Sequence, residues 1–285
     1  MYLSKPILQK YLLRFLEADL GLGDITTSVL IPPQSKASAK IVLKESKPVF
    51  LAGLEEVICL FDALGIKAKS PYQDGVWAEP QVELILLEGK ARDILGAERT
   101  ALNILMRMTA IATMTKNMQD KIKAIGSNSK IAATRKTAPG LIYFDKKAVA
   151  IGGGDTHRFH LEDAILIKNN HLILVGSIAE ALKQAQRASF SKKIEIEVSN
   201  LEEALIATTL GADIIMLDNF SPQMVGETIN TLRQKGLREK VLIEVSGRIT
   251  PETVLDYALY NPDIISCGAL THSVKAVDIS LKIEK

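Results

Sequence analysis

The second half of the chain repeats a simple pattern of hydrophobic and polar positions. Short apolar runs each end in a polar or glycine-bearing cluster, and most then lead into a longer segment with helical periodicity. Such an alternation of buried strands and helices predicts βα units and a parallel sheet. The apolar runs lie at residues 131–133, 164–167, 193–198, 212–217, 241–245 and 263–266.

The helical segments between these runs open with residue types that favour the N-cap position, where a side-chain oxygen accepts from a free backbone amide. Two of them also carry Glu three residues later, as in a capping box. These residues are Ser177 with Glu180, Asn200 with Glu203, Ser221 and Thr250.

The first half has a different pattern. Residues 6–20 have the spacing of an amphipathic helix, and residues 36–53 and 76–90 are strand-rich with alternating charges. A long helical pattern at 91–125 predicts a bridge from an α+β domain into the parallel-sheet domain.

Polar residues follow at least six of the apolar runs, always on the C-terminal side. In an α/β barrel this is the face that carries active sites. An open doubly wound sheet also binds ligands at the carboxyl ends of its strands, but only near a switch point. Functional-looking residues at nearly every strand end therefore favour a closed or nearly closed barrel.

Composition narrows the class of protein. The 285 residues are 47% hydrophobic and 24% charged with a net charge of +2, which indicates a globular protein and argues against a nucleic-acid partner. We find no secretory signal and no apolar run long enough to span a membrane. The two cysteines, Cys59 and Cys267, form no disulfide framework, so we expect reducing cytoplasm. Cys267 follows a strand-like run, which favours an ordinary buried cysteine over a reactive thiol.

Cations cluster after two of the strands. Arg135 and Lys136 follow the first run together with Thr134, Arg158 follows His157, and Lys168 ends the next run. Guanidinium groups bind carboxylates and phosphates with two hydrogen bonds, and lysine supplies a point charge. We predict a local site for anionic ligands. The alternative, a set of solvated surface cations, is less favoured because these residues follow apolar strands.

Two other interpretations of the same segment are weaker. Gly152, Gly153 and Gly154 lack the spacing of a dinucleotide-binding loop, so they indicate a close approach to an anion or a structural turn. His157, His160 and His171 have no cysteine nearby and no i, i+4 spacing, which disfavours zinc.

Carboxylates end the next strands. Glu195 and Glu197 alternate on one strand face, and Asp218 ends the following strand. Buried carboxylates need a cation or a metal. We favour a metal or ribose role for Glu197 and Asp218, with Mg²⁺ as the metal, and a structural ion pair for Glu195. Pairing with the cations is the alternative for all three.

Glycine-bearing loops close the last strands. Loops after the final strands of a barrel commonly bind phosphate through backbone amides, although many α/β turns contain Ser-Gly without binding anything. The residues concerned are Ser246, Gly247, Ser266, Cys267, Gly268 and the nearby His272.

Taken together, the motifs TRKTAPG, GGGDTHRF, LIKNNH, IEIEVSN, IIMLDNF, EVSGRIT and CGALTHS resemble the quinolinate phosphoribosyltransferase family, with GLGDITT and GAERTALN upstream. The resemblance runs in order from about residue 20 to 281. It implies an incomplete seven-stranded α/β barrel, at residues 110–272, and an α+β sandwich domain, at residues 1–109, completed by the C-terminal tail at 273–285.

The resemblance also implies an activity. Such enzymes convert quinolinate and phosphoribosyl pyrophosphate, with Mg²⁺, to nicotinate mononucleotide, pyrophosphate and CO₂ in NAD biosynthesis. They form a homodimer or a hexamer of dimers with shared sites. By motif, Arg99 would come from the neighbouring subunit, and quinolinate would meet Arg135, Lys136, His157, Arg158 and Lys168. Ribose and metal would meet Glu197 and Asp218, and phosphates the loops at Ser246-Gly247-Arg248 and Ser266-Cys267-Gly268.

Three positions depart from the family pattern. Asn169 stands where Asp is usual, Ile142 where Arg is common, and Ala133 where Asp is frequent. Two rivals stay open: a molybdenum-transport-associated paralogue with a different substrate, and a catalytically silent barrel that acts as a sensor. The LIKNNH and CGALTHS elements favour quinolinate over the paralogue, and the retained Arg99, Lys136, Lys168, Glu197 and Asp218 argue against a sensor.

Overall fold

The computed structural model describes residues 3–284. The chain forms two compact units. We call one the antiparallel unit; it contains the described residues up to Thr113, Ala150–Gly152, and the chain from Val274 onward. We call the other the parallel unit; it contains Met114–Val149 and Gly153–Ser273. Each unit has its own sheet and core.

The antiparallel unit begins with two helices and continues through short strands into one long helix. Its elements are α1 (Lys5–Leu20), α2 (Ile25–Leu30), β1 (Lys36–Leu43), β2 (Val49–Phe50), α3 (Leu54–Ala63), β3 (Lys67–Lys69), β4 (Trp77–Ala78), β5 (Glu83–Lys90) and α4 (Ala91–Ala124). The long helix predicted at 91–125 is confirmed. It continues past Thr113 into the second unit, so the predicted domain boundary after residue 109 falls inside it.

Strands and helices alternate in the parallel unit, as the hydrophobic pattern predicts. Its elements are β6 (Lys130–Ala132), α5 (Ile142–Ile151), β7 (Ile165–Ile167), α6 (Asn169–Val175), α7 (Ile178–Ala188), β8 (Ile194–Val198), α8 (Leu201–Thr209), β9 (Ile214–Asp218), α9 (Pro222–Gln234), a 3₁₀ turn (Arg238–Lys240), β10 (Leu242–Ser246), α10 (Val254–Ala258), β11 (Ile264–Ser266) and α11 (Ala269–His272). One further strand, β12 (Ile279–Glu284), follows.

The sheet of the parallel unit has the order β6-β11-β10-β9-β8-β7, and every pairing given for it is parallel. The predicted α/β class is therefore confirmed. The described residues form six extended strands in this sheet, not seven. The seventh position holds a single bridge between Asp155 and Ala132, because the segment after the glycine run pairs at one residue only.

Three of the four predicted N-caps are confirmed. Ser177, Asn200 and Ser221 each accept a hydrogen bond from the backbone amide three residues later. The prediction for Thr250 is wrong, because α10 begins only at Val254, and Thr250 is bonded within the preceding turn.

The chain returns to the antiparallel unit at its end. Its larger sheet has the order β12-β1-β5-β3, and β12 pairs antiparallel with β1 through the register Leu43↔Ile279 to Ser38↔Glu284. The prediction that the C-terminal tail completes this domain is confirmed. α1 and α3 contribute buried apolar residues to the unit, among them Leu12 and Phe61. No helix within residues 3–284 has the length and apolarity needed to cross a membrane.

The two ends of β12 test how the last strand stabilises this unit. Ile279 is 4% exposed and Ile283 is 45% exposed. We expect Ile279→Ala to lower the free energy of unfolding by roughly 2–5 kcal/mol, since it leaves a cavity in the core. The matched change Ile283→Ala should cost no more than about 0.5 kcal/mol. Urea denaturation measures both, and equal losses would contradict the assigned register.

Candidate active site

The carboxyl ends of the parallel strands meet at one edge of the sheet, which we call the site edge. Asp218 pairs in register with Ser246, Ser266 pairs with Ala132, and Lys168 follows Ile167 directly. Since the strands are all parallel, their C-terminal residues are carried to the same edge. The predicted residues that end strands in this unit therefore share one edge.

A buried ionic cluster lies beside this edge. His157 Nε2 is 3.1 Å from Glu244 Oε2 and 3.3 Å from Glu195 Oε2. Ser266 Oγ donates to the other oxygen of Glu244 at 2.5 Å. Both glutamates are only 1% exposed, and Glu195 Oε1 has no hydrogen-bond partner among the described residues. Glu195 is thus an ion-pair partner of a histidine, in agreement with the role expected for it.

The protonation of His157 is set by its two carboxylate neighbours. Burial disfavours the charged ring, but the hydrogen bonds to Glu195 and Glu244 and their charges outweigh it and raise the pKa of His157 to about 10. Burial raises the pKa of Glu195, against the hydrogen bond from His157, and the charge of Glu244 adds to the increase. Near neutral pH the cluster therefore holds an imidazolium between two carboxylates.

The same three side chains have the residue types of a metal site, with ligand atoms within 4.8 Å of one another. Their atoms are in direct hydrogen-bonding contact. In this structure the three side chains form a hydrogen-bonded ionic cluster.

Glu197 and Asp218 differ from that cluster in their surroundings. The Lys168 ammonium is ion-paired with Glu197 Oε1, and Asn219 Nδ2 donates to Asp218 Oδ2 at 2.9 Å. The two carboxylates lie on the neighbouring strands β8 and β9, where the strands end. Carboxylate oxygens are the ligands that Mg²⁺ takes, together with water and phosphate oxygens. Glu197 and Asp218 are of the residue type that the expected ion requires.

The first cation pair lies in the loop after β6. Arg135 and Lys136 are both exposed, and the backbone amide of Lys136 donates to Thr134 Oγ1 at 3.1 Å. Burial and the nearby Arg135 lower the pKa of the Arg158 guanidinium. Arg135 is thus near enough for its charge to act on the Arg158 guanidinium, and an anion beside both would reduce this repulsion.

The loop after β11 lies against the same segment. Thr271 Oγ1 donates to the Lys136 carbonyl at 2.9 Å. A Cβ atom at Gly268 would lie 3.3 Å from Lys136 Cδ and 3.0 Å from the His272 ring. Gly268 therefore lets Lys136 and His272 come together, which joins the first predicted loop to the last.

Backbone strain marks two further loops. Gly247 has φ +114°, and a Cβ there would lie 2.5 Å from Asn219 Oδ1, so only glycine fits. Arg248 and Asn219 also have positive φ values of 52° and 58°. Left-handed non-glycine residues are uncommon and are found where the surrounding structure holds them in place. The loops after β9 and β10 thus pack tightly against each other.

Two predicted residues lie below the surface of the edge. Ser266 is 3% exposed and donates to Glu244. Cys267 has no exposed surface, its amide donates to the Ala132 carbonyl, and its thiol donates to the Ile249 carbonyl at 3.1 Å. Burial raises the pKa of this thiol, as expected for an ordinary buried cysteine. Their polar groups are engaged within the protein.

Arg99 is the residue that the resemblance assigns to the site of a neighbouring subunit. It lies on α4 within the antiparallel unit, with an exposed side chain.

The structure also shows where the three departures from the family pattern lie. Ala133 is buried, Ile142 begins α5, and Asn169 begins α6.

Sequence reasoning missed Glu244 and Asn219. Glu244 is the only charged residue of the predicted strand at 241–245, and this single carboxylate among apolar neighbours was its signal. A charge inside a strand must find a buried partner. Asn219 follows Asp218 directly, but nothing in the sequence indicates its contact with Gly247.

A parallel α/β unit whose carboxyl edge gathers cations, carboxylates and strained glycine-bearing loops defines an enzyme site for anionic substrates. Family models agree with this class and refine it: the quinolinate phosphoribosyl transferase N-terminal domain matches residues 24–109, and the C-terminal domain matches residues 111–282. The chain belongs to the quinolinate phosphoribosyltransferase family.

Individual relatives cover nearly the whole chain. A probable nicotinate-nucleotide pyrophosphorylase (carboxylating) of Methanocaldococcus jannaschii is 48% identical over 277 residues, 96% of each chain. The nicotinate-nucleotide pyrophosphorylase (carboxylating) of Mycobacterium leprae is 36% identical over 95% of each chain. The solved structure of the Ehrlichia chaffeensis nicotinate-nucleotide pyrophosphorylase superposes with a TM-score of 0.89, at 32% identity, over all of both chains.

The buried cluster yields a prediction about pH. We expect Glu244→Gln to lower the pKa of His157 from its value of about 10, because one of its two carboxylate partners is lost. NMR titration of labelled histidine measures this, and Glu202→Gln, which removes an exposed carboxylate of α8, is the matched control. An unchanged His157 pKa in Glu244→Gln would contradict the assigned contact.

The same cluster affects stability. A raised pKa means that the folded state binds the proton more tightly than the unfolded state. The stabilisation is therefore complete below pH 6.5 and is lost as the pH rises through about 10. Urea denaturation across this range should show a steeper alkaline loss for the wild type than for Glu244→Gln.

Proposed function

We propose that the protein transfers the phosphoribosyl group of phosphoribosyl pyrophosphate to quinolinate, with release of pyrophosphate and CO₂ and formation of nicotinate mononucleotide in de novo NAD biosynthesis. The observation that carries this proposal is the match of both domains to one family across residues 24–282. The chemistry of the site edge supports it independently, because cations and carboxylates are grouped there as a dicarboxylate and a phosphorylated sugar require.

The quinolinate side of the site would use the cations. Two adjacent ring carboxylates need positive charge around them, and Arg135, Lys136, His157, Arg158 and Lys168 are the candidates, with Thr134 as a hydroxyl partner. The proximity of Arg135 and Arg158 supports this assignment.

The phosphoribosyl side would use the later strand ends. Glu197 and Asp218 would hold the ribose and Mg²⁺, and the phosphates would bind at Ser246, Gly247, Arg248, Gly268 and His272. Bound Mg²⁺ would neutralise the charge that develops on departing pyrophosphate. Ser266 and Cys267 would support the last loop from below, since their polar groups are engaged inside the protein.

The reaction needs positioning more than acid–base catalysis. The quinolinate ring nitrogen attacks the ribose carbon as pyrophosphate leaves, and a nearby carboxylate such as Glu197 stabilises the oxocarbenium-like ribose. The product is an N-ribosylated pyridinium, which accepts the electron pair when the adjacent carboxylate leaves as CO₂. A proton then replaces the lost CO₂ on the ring carbon. Holding the two substrates in line is the main task of the protein.

We also propose a homodimer, alone or within a hexamer of dimers, in which Arg99 of one subunit completes the site of the other. Exposed apolar residues support an interface on each unit. α6 follows Lys168 directly and exposes Ile173 and Leu174, and α2 exposes Ile25 and Val29. Exposed apolar clusters of this kind mark association surfaces.

Free thiols at Cys59 and Cys267 fit a reducing compartment, and we propose the cytoplasm.

The proposed reaction has a direct test. Purified protein with quinolinate, phosphoribosyl pyrophosphate and Mg²⁺ should release labelled CO₂ and form nicotinate mononucleotide. Chelation of Mg²⁺ should stop product formation, and added Mg²⁺ should restore it. Lack of product would overturn the proposal, and turnover of nicotinate in place of quinolinate would point to a non-decarboxylating transferase.

The shared site has a separate test. Arg99→Ala and Lys136→Ala proteins should each be inactive alone. After random subunit exchange in equal amounts, about a quarter of the wild-type activity should return, because half of the dimers are mixed and each has one intact site. Mass spectrometry verifies the exchange. Proven exchange without any recovery would argue against a contribution of Arg99 in trans.

A further inference from the structure

A buried lysine supports the loop that carries His157 and Arg158. Lys146 lies on α5 and has no exposed surface. Lysine is almost never fully buried unless its ammonium finds partners. Its Nζ donates to the Arg158 carbonyl at 2.6 Å and also to the Thr156 carbonyl, and it lies 5.1 Å from the centre of the Phe159 ring. The ammonium thus binds backbone, and the two carbonyls it binds flank His157.

The backbone between those carbonyls is strained. His157 has φ +51°, in the left-handed region that non-glycine residues seldom adopt. On its N-terminal side, Asp155 is bridged to β6, and Asp155 Oδ1 accepts the His157 amide at 2.6 Å. Strain of this kind persists only where the surroundings hold it. The bridge holds the start of the segment, and Lys146 holds the carbonyls on both sides of the strained residue.

Removing the ammonium would release this arrangement. Two part-buried carbonyls would lose their donor, and an unpaired carbonyl shielded from water favours a rotation of the backbone that lets it find another partner. Any such rotation would move the His157 ring away from Glu195 and Glu244 and would shift Arg158, whose Nη1 donates to the Ala164 carbonyl at 3.3 Å.

We propose that Lys146 is a positioning residue of the quinolinate site, where its ammonium fixes the backbone of Thr156–Arg158 so that His157 and Arg158 meet the substrate carboxylates. The substrate in this statement rests on the proposed function above. The fixed loop itself rests only on the contacts of Lys146.

The charge on Lys146 is sensitive to pH. Burial lowers the pKa of Lys146 to about 8. The charges of Asp155 and Asp163 oppose this change, while those of Arg135 and Arg158 add to it. As the pH rises through about 8, the ammonium loses its proton and binds the two carbonyls less strongly. The loop should then loosen in alkaline solution.

The test compares Lys146→Met with Lys147→Met, which removes the next lysine of the same helix. Lys147 is also buried but lies over the Tyr143 ring. For Lys146→Met we expect faster hydrogen–deuterium exchange across residues 155–163 and a loss of about 100-fold in kcat/KM for quinolinate, with little change in KM for phosphoribosyl pyrophosphate. Lys147→Met should leave the exchange rates, kcat/KM for quinolinate and KM for phosphoribosyl pyrophosphate near their wild-type values.

The pH profile adds a readout that general loss of packing would not produce. In the wild type, kcat/KM for quinolinate should fall above a pH of about 8, and this step should be absent from Lys146→Met. If Lys146→Met does not fold, the pH dependence of hydrogen exchange in the wild type tests the proposal. Protection of residues 155–163, corrected for intrinsic exchange, should fall between about pH 7 and 9, while protection of β8 should not.

Three results would overturn the proposal. The first is hydrogen–deuterium exchange across residues 155–163 that is the same in Lys146→Met as in the wild type. The others are losses in Lys147→Met equal to those in Lys146→Met, or a fall of kcat/KM near pH 8 that persists in Lys146→Met. Failure of the wild type to use quinolinate would overturn the proposed function. The exchange measurements would still decide whether Lys146 holds the loop.

Discussion

Charge inside the parallel sheet is the constraint on which the rest of the site depends. Glu195 and Glu244 are buried where water cannot solvate them, so each needs a cation or a hydrogen-bond donor. His157 supplies the cation to both, and Ser266 supplies a hydroxyl to Glu244. These contacts join β8, β10, β11 and the segment after α5. The position of one imidazole ring therefore depends on strands that lie far apart in the chain.

The remaining polar groups of the edge follow from this arrangement. Glu195 and Glu244 are engaged by His157, and the carboxylates nearer the ends of β8 and β9 are Glu197, which is paired with Lys168, and Asp218, which accepts from Asn219. The first pair thus stabilises the interior of the sheet through His157. Two glutamates only two positions apart on β8 have different partners, His157 for Glu195 and Lys168 for Glu197.

Much of this could be predicted from the sequence, because periodicity and strand-end chemistry are local signals. Alternation of short apolar runs with capped helices was sufficient for the parallel sheet, and the cations and carboxylates after those runs marked its edge. The prediction that a helix begins after Thr250 was wrong, because a turn at residues 250–253 uses the polar groups of Thr250. The contact of Glu244 with His157 joins residues 87 positions apart, and the contact of Lys146 with Thr156 joins residues 10 positions apart. Neither could be predicted, because both depend on backbone conformations that no sequence pattern encodes.

The pairing of β1 with β12 has a consequence for synthesis of the protein. β1 lies near the start of the chain, and its partner is made only after the whole parallel unit has been translated. Until then, the first domain leaves the ribosome with one side of β1 unpaired, and unpaired strand edges attract other chains. The parallel unit can fold during this interval, since domains generally fold as units. Completion of the first domain therefore waits until the whole parallel unit and β12 have been made.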